Sequence, residues 1–209
     1  MKNWTFKKWN TILGWVVFAI AFITYLSTIE PNFSFWDCGE YISSAVKLEV
    51  THAPGAALFQ LIGAVAAIFG FGDPSKYSVI INAMSALFSA FTILFLFWTI
   101  THLVRRLLNK DFEEVTFTEE ISILFAGVIG ALSFTFSDTF WFSAVEGEVY
   151  SMASMFIALL VWLITKWENE YHEKDNERWL ILIFFITGLS VGVHMMCMLA
   201  IPAVCLIYY

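Results

Sequence analysis

Charge is what this sequence has least of. Of its 209 residues only 14% are Asp, Glu, Lys or Arg, while 59% are hydrophobic. A soluble domain carries about a quarter charged residues, so an ordinary soluble fold is excluded. Also missing are a Gly-rich phosphate loop, a zinc motif, a Ser-His-Asp order and a basic patch of the kind that grips nucleic acid. The strand-like alternation of an outer-membrane barrel does not occur either. Cysteine is scarce. Cys38, Cys197 and Cys205 lie in or beside apolar segments without metal-ligand spacing and read as packing residues.

What is present is long apolar sequence with 22 Phe and 9 Trp. Helices are the default element for such a chain in a bilayer, so the expected fold is an all-α polytopic membrane bundle. Expected spans are roughly 10–29, 78–104, 121–137, 149–165, 179–195 and 197–209. Lys2, Lys7 and Lys8 precede the first run as in a signal peptide. No small-residue cleavage site follows, so a retained helix is expected. The chain stops inside the apolar run "LAIPAVCLIYY", which is expected of the N-terminal part of a longer protein.

Segment 53–72 is uncharged and long enough to span, yet it holds Pro54, Gln60 and four glycines. The placement of Lys and Arg decides between two topologies. With an inner N-terminus and every segment spanning, four basic residues fall inside and seven outside. With 53–72 kept on the outer face, Lys2, Lys7, Lys8, Arg105, Arg106, Lys110, Lys166, Lys174 and Arg178 are inside and only Lys47 and Lys76 outside. The positive-inside rule selects the second. The aromatic belt agrees. Trp98, Trp162, Trp167 and Trp179 fall near inner ends, and Trp36, Trp141 and Tyr150 near outer ends.

Residues 30–77 thereby become one outer loop, joined on that face by "FSDTFWFSAVEGEVYS" and "VGVHMM". Titratable groups collect there. Asp37 and Glu40 share a helix face. They suit a general base with a supporting carboxylate, and equally a capping box in which Asp37 starts the next helix. His52, in "THAPG", is either a ligand for phosphate or sugar hydroxyl or a wetted surface residue. Glu146 and Glu148 face one way if extended and diverge if helical, and Gly147 between them favours the former. They read as a second acidic partner or as charges serving a helix dipole. A divalent cation suits such carboxylates, but no recognised ligand spacing marks a metal site. His194, in "GVHMMC", is an ionisable group near the end of a span, or an interfacial histidine with a backbone partner.

The stretch "FWDCGEYISSAVKLEVTHAPGAALFQL" followed by "FWFSAVEGEVYS" resembles the GT-C superfamily of membrane glycosyltransferases. It is similar, more closely, to the family catalogued as domain of unknown function 2723, related to protein O-mannosyltransferases. The likeness covers essentially the whole chain. Many relatives have His-Pro-Pro where this chain has His52-Ala53-Pro54. The resemblance implies an enzyme that moves a sugar from a polyprenyl-phosphate donor to Ser or Thr hydroxyls of exported proteins. Asp37 is then the catalytic acidic residue and Glu40 its support, with His52, Glu146, Glu148, Tyr150 and His194 as substrate-binding residues. It implies a multi-pass protein with a cytoplasmic N-terminus and a periplasmic active face if bacterial. The bilayer, the lipid-linked donor and the acceptor protein are its partners, with no nucleic acid. Two other readings of the same residues are a transporter or flippase for a lipid-linked sugar, and a non-catalytic membrane scaffold. The first is weakened by the absence of an internal repeat.

Overall fold

The structure, a computed structural model, describes residues 2–108 and 115–209, and side chains from residue 6 onward. Lys110 and the side chain of Lys2, both counted in the charge argument, lie outside that description. Apolar sequence with little charge leaves the backbone no water to bond to, so the chain satisfies its own amides as helices. These are α1 (Lys2–Ser27), α2 (Cys38–Lys47), α3 (Ala57–Ala67), α4 (Tyr77–Leu107), α5 (Phe117–Thr135), α6 (Asp138–Ala144), α7 (Val149–Asn169), α8 (Glu177–Val191) and α9 (Ala200–Tyr208). The protein is an all-α polytopic membrane bundle. Among the described residues four helices, α1, α4, α5 and α7, are long and apolar enough to cross a membrane.

The hub is α4, which packs against α1, α5 and α7. More than half of its spanning stretch is buried, against 22% for those of α1 and α5, so the latter two form the lipid-facing flank. Close approach depends on small residues. A Cβ on Gly127 of α5 would sit 2.5 Å from Thr101 Cγ2 of α4, and one on Gly14 of α1 would sit 2.6 Å from Trp98 Nε1. The Trp98 indole uses that room to donate to the Asn10 carbonyl at 3.2 Å.

The segment between α1 and α4 leaves and returns at one end of the bundle. Asn82, near the start of α4, donates to the carbonyls of Glu30 and Asn32 at 2.7 and 2.8 Å. Glu30 N–H donates to the Val145 carbonyl at 3.1 Å. Between those points α2 is amphipathic, with Cys38, Tyr41, Ile42 and Ala45 buried at helical spacing. They join Phe59 of α3, Ile81 of α4 and Met152 of α7 in one apolar cluster. With its 3₁₀ extension Ile68–Gly70, α3 covers 14 residues, about 21 Å at 1.5 Å per residue, shorter than a bilayer core of about 30 Å.

The last two expected spans take a different form. Segment 179–195 gives α8, which stops at Val191, and segment 197–209 gives a 3₁₀ turn, Met195–Leu199, that runs into α9. Two bonds, one long-range and one local, explain the stop. The Gly192 carbonyl is taken by the Leu58 N–H at 2.8 Å, and His194 Nδ1 accepts the Met196 N–H at 3.1 Å.

Candidate functional site

The capping box, one of the two readings of Asp37 and Glu40, does not form. Asp37 begins α2 with no hydrogen bond from its side chain to the helix, which it serves only through its carbonyl, 2.9 Å from Tyr41 N. Glu40 does not reach back either. Its carboxylate accepts both the backbone N–H of His52 at 2.7 Å and His52 Nδ1 at 3.0 Å. A long-range partner with two donors has outcompeted the local one. The turn that brings His52 there begins at Leu48, in left-handed geometry with φ 54°. Leu48 and Glu49 N–H close α2 on Ala45 and Ser44.

The two bonds also fix the ring. A carboxylate only accepts, so His52 Nδ1 carries a proton. Nε2 faces outward, 3.9 Å from Asp37 Oδ2. The two hydrogen bonds from His52 hold the Glu40 carboxyl below its ordinary range, and the Glu40 carboxylate raises the His52 pKa. All three side chains are about half exposed. Each offers one ligand atom within 4.8 Å of the others. Sequence spacings of 3 and 12 did not advertise this trio, which could hold a divalent cation. A mixed nitrogen and oxygen set suits a borderline cation better than a hard one.

Behind this exposed arm lies a buried one. Residues 145–148 are not helical, and Glu148 is extended at φ −124° and ψ 162°. A Cβ on Gly147 would come within 2.9 Å of Asn82 Oδ1 and 3.0 Å of Ile42 Cγ1. Glycine there lets the turn press against α2 and α4. Glu146 and Glu148 are 3% and 5% exposed. Ser34 Oγ donates to Glu146 Oε2. Burial raises the Glu146 pKa, opposed by Ser34 and reinforced by Glu30. Glu148 is pushed up to about 7, first by burial, then by the charges of Glu146 and Asp37, with the Asp37 N–H opposing. Its side chain does not cap α7.

Tyr41 joins the two arms. Its ring lies 5.8 Å from His52 and 5.5 Å from Phe59. Burial, then the charges of Asp37, Glu148 and Glu40, push its phenol up to about 12. Tyr41, Ser34 and Asn82 were missed in the sequence. For Tyr41 a signal existed, since it is four residues after Asp37 on the same helix face. For Ser34 and Asn82 there was none, because their partners are 112 and about 50 residues away. Tyr150 and His194 form a separate pair with rings 5.7 Å apart. His194 spends Nδ1 on the backbone N–H of Met196. Asp37, Glu40, His52 and Glu148 thus converge, Glu146 sits behind them, and Tyr150 and His194 stand beside.

An acid and a base can be separated in such a place. Glu148 retains a proton near neutrality, while His52 holds the Glu40 carboxyl below its ordinary range, so groups of one cluster offer opposite proton chemistry.

The family model for the protein O-mannosyl-transferase TMEM260 N-terminal domain matches residues 37–209. The chain is 30% identical over 167 residues to protein O-mannosyl-transferase tmem260 of Dictyostelium discoideum, covering 78% of this chain and 18% of that protein. It is 30% identical over 176 residues to protein O-mannosyl-transferase TMEM260 of Mus musculus, covering 84% of this chain and 22% of that one. The chain thus spans about a fifth of the length of these curated relatives. No solved structure is significantly similar to it. The match from Asp37 onward takes in the whole acidic cluster, and the chain belongs to the family of the protein O-mannosyl-transferase TMEM260 N-terminal domain.

Proposed function

We propose that the protein containing this chain is a membrane glycosyltransferase of the GT-C type. In this reading it transfers a sugar from a polyprenyl-phosphate donor to Ser or Thr hydroxyls of exported proteins, at the outer face of the membrane. The observation that carries the reading is the convergence of Asp37, the Glu40–His52 pair and Glu148 at one end of the bundle. The names of the relatives and the resemblance to domain of unknown function 2723 support it.

The transfer requires a base for the acceptor, a held leaving group and a dry wall. Asp37 takes the hydroxyl proton as the acceptor oxygen bonds to the anomeric carbon. The bond from that carbon to the phosphate oxygen breaks, and its electron pair leaves with the lipid phosphate. His52, oriented through Nδ1 by Glu40, presents Nε2 and positive charge toward Asp37. Glu148, protonated for much of the time near pH 7, donates a hydrogen bond to substrate, and Glu146 and Tyr41 shape the wall behind it. Tyr150 and His194 border the site on the α7 side.

The test uses the full-length protein in detergent with a polyprenyl-phosphate mannose and a Ser/Thr-containing peptide. Transfer by the wild type and a loss on the order of 10²–10⁴-fold in Asp37→Asn at equal protein level are expected. Full transfer by Asp37→Asn removes Asp37 from the role. Because detergent has no compartments, donor consumption there also separates this enzyme from a transporter.

A further inference from the structure

At the other end of the bundle the helices line an open cavity of about 1130 Å³. From Asn82 to His102 along α4 is about 30 Å at 1.5 Å per residue, a full bilayer core from the candidate site. Lys7, Arg105, Arg106 and Lys166 line the cavity, against Glu168 and Glu170. Both carboxylates are engaged. Glu168 accepts from Arg106 Nη2 at 2.6 Å and meets His102 Nε2 at 2.7 Å. Glu170 accepts from Arg178 Nη2 at 2.6 Å and from Trp179 Nε1 at 2.8 Å.

Lys166 is different. It is half-buried, with Nζ 4.9 Å from the Trp162 ring centroid. Trp162 in turn stacks on Trp98 at 5.3 Å. Among the described residues Lys166 makes no ion pair. An ammonium drawn out of water against an aromatic wall is costly without an anion in contact, and the charge of Glu170, one turn on, acts on it only from a distance. Arg105 Nη2 donates to Asn169 Oδ1 at 2.9 Å, and both residues line the same cavity. Tryptophans mark the depth at which lipid headgroups lie, and basic pockets between helices are where anionic headgroups bind.

We propose that this cavity is a binding site for a phosphate group, with Lys166 and Arg105 as its charge partners and the Trp98–Trp162 stack as the wall against the organic part. The phosphate comes from an anionic lipid headgroup or from a free phosphate, and the experiment separates the two. The thermal unfolding midpoint of the full-length protein in detergent is titrated with short-chain phosphatidylglycerol, short-chain phosphatidylcholine and inorganic phosphate. Saturable stabilisation by phosphatidylglycerol, exceeding that by phosphatidylcholine, is expected. Lys166→Met keeps the packing on Trp162 and removes the charge. It is expected to raise the half-saturating concentration about five-fold, while Lys76→Met, at the far end of the bundle, leaves it unchanged. Equal stabilisation by inorganic phosphate assigns the site to a free anion. Should Lys166→Met not fold, Lys7→Gln at the cavity rim answers the same question in the same direction. No saturable effect, equal effects of the two lipids, or unchanged half-saturation in the lysine variants overturns the proposal.

Discussion

Glu148 is held in a place that penalises its charge, and that penalty has a sign and a pH window. Its pKa rises from 4.5 to about 7 in the fold. A raised acid stabilises the fold fully below its unfolded pKa and loses that contribution as pH rises through the folded value. Between pH 5 and pH 8 the native state must therefore surrender stability on the order of 2–3 kcal/mol at this one site. Glu148→Gln removes the titration. The variant is expected to match the wild type near pH 4.5 and to unfold at a higher temperature than it at pH 8. A difference in unfolding midpoint that stays flat across that range would show that Glu148 is not buried as described. The sequence marked this residue and Glu146 because they lie two apart around Gly147 on the expected outer face, opposite the first loop. It did not mark Tyr41, Ser34 or Asn82, whose roles depend on partners brought in by the tertiary fold. The capping reading of Asp37 failed for the same reason. Spacing of i and i+3 describes a local competition, and the winning partner of Glu40, His52, is 12 residues away.

At the scale of elements, glycines in apolar helices carry opposite meanings according to what faces them. Alanine in a helix interior is favoured over glycine by about 1 kcal/mol. At Gly127 that gain is met by Thr101 Cγ2 at 2.5 Å and Phe97 Cε2 at 2.8 Å from the new Cβ, on the rigid side chains of a packed helix. Overpacking of this kind costs roughly 1–3 kcal/mol, so Gly127→Ala is expected to lower the unfolding temperature. At Gly188 on α8 nothing lies within 4 Å of the new Cβ, so Gly188→Ala is expected to raise it. Measured side by side in one detergent, shifts of the same sign would refute the close α4–α5 contact. Helix type was readable from hydropathy along α1, α4, α5 and α7, because each apolar run is long. It was less readable for α8 and α9, whose ends are set by a carbonyl captured from α3 and by the ring of His194. The first partner is far away in sequence, and the second, two residues along, leaves no mark in hydropathy.

At the scale of the whole molecule, two chemically different ends lie about a bilayer apart, and the proposed function requires them to face different compartments. The acidic cluster sits with the start of α4, while Arg105, Arg106 and Lys166 lie at the ends of α4 and α7. The proposed function has the basic end in the cytoplasm and the acidic end outside, the orientation that the positive-inside rule favours. Two positions report on this directly. Lys76 precedes α4, where it pairs with Asp73 at 3.2 Å. Lys174 lies in the turn between α7 and α8. Single cysteines at these two sites, in a full-length protein whose exposed Cys205 is changed to Ser, are tested in intact cells with a membrane-impermeant maleimide. Lys76→Cys is expected to react from outside, and Lys174→Cys only after the membrane is opened. The outcome also bears on segment 53–72. If that segment crossed the bilayer, Lys76 and Asp37 would lie on opposite faces, and the Asn82 bonds to Glu30 and Asn32 would have to break. Reaction of Lys174→Cys from outside together with protection of Lys76→Cys would invert the molecule. It would put the acidic cluster in the cytoplasm, where a base at Asp37 could not serve exported acceptors.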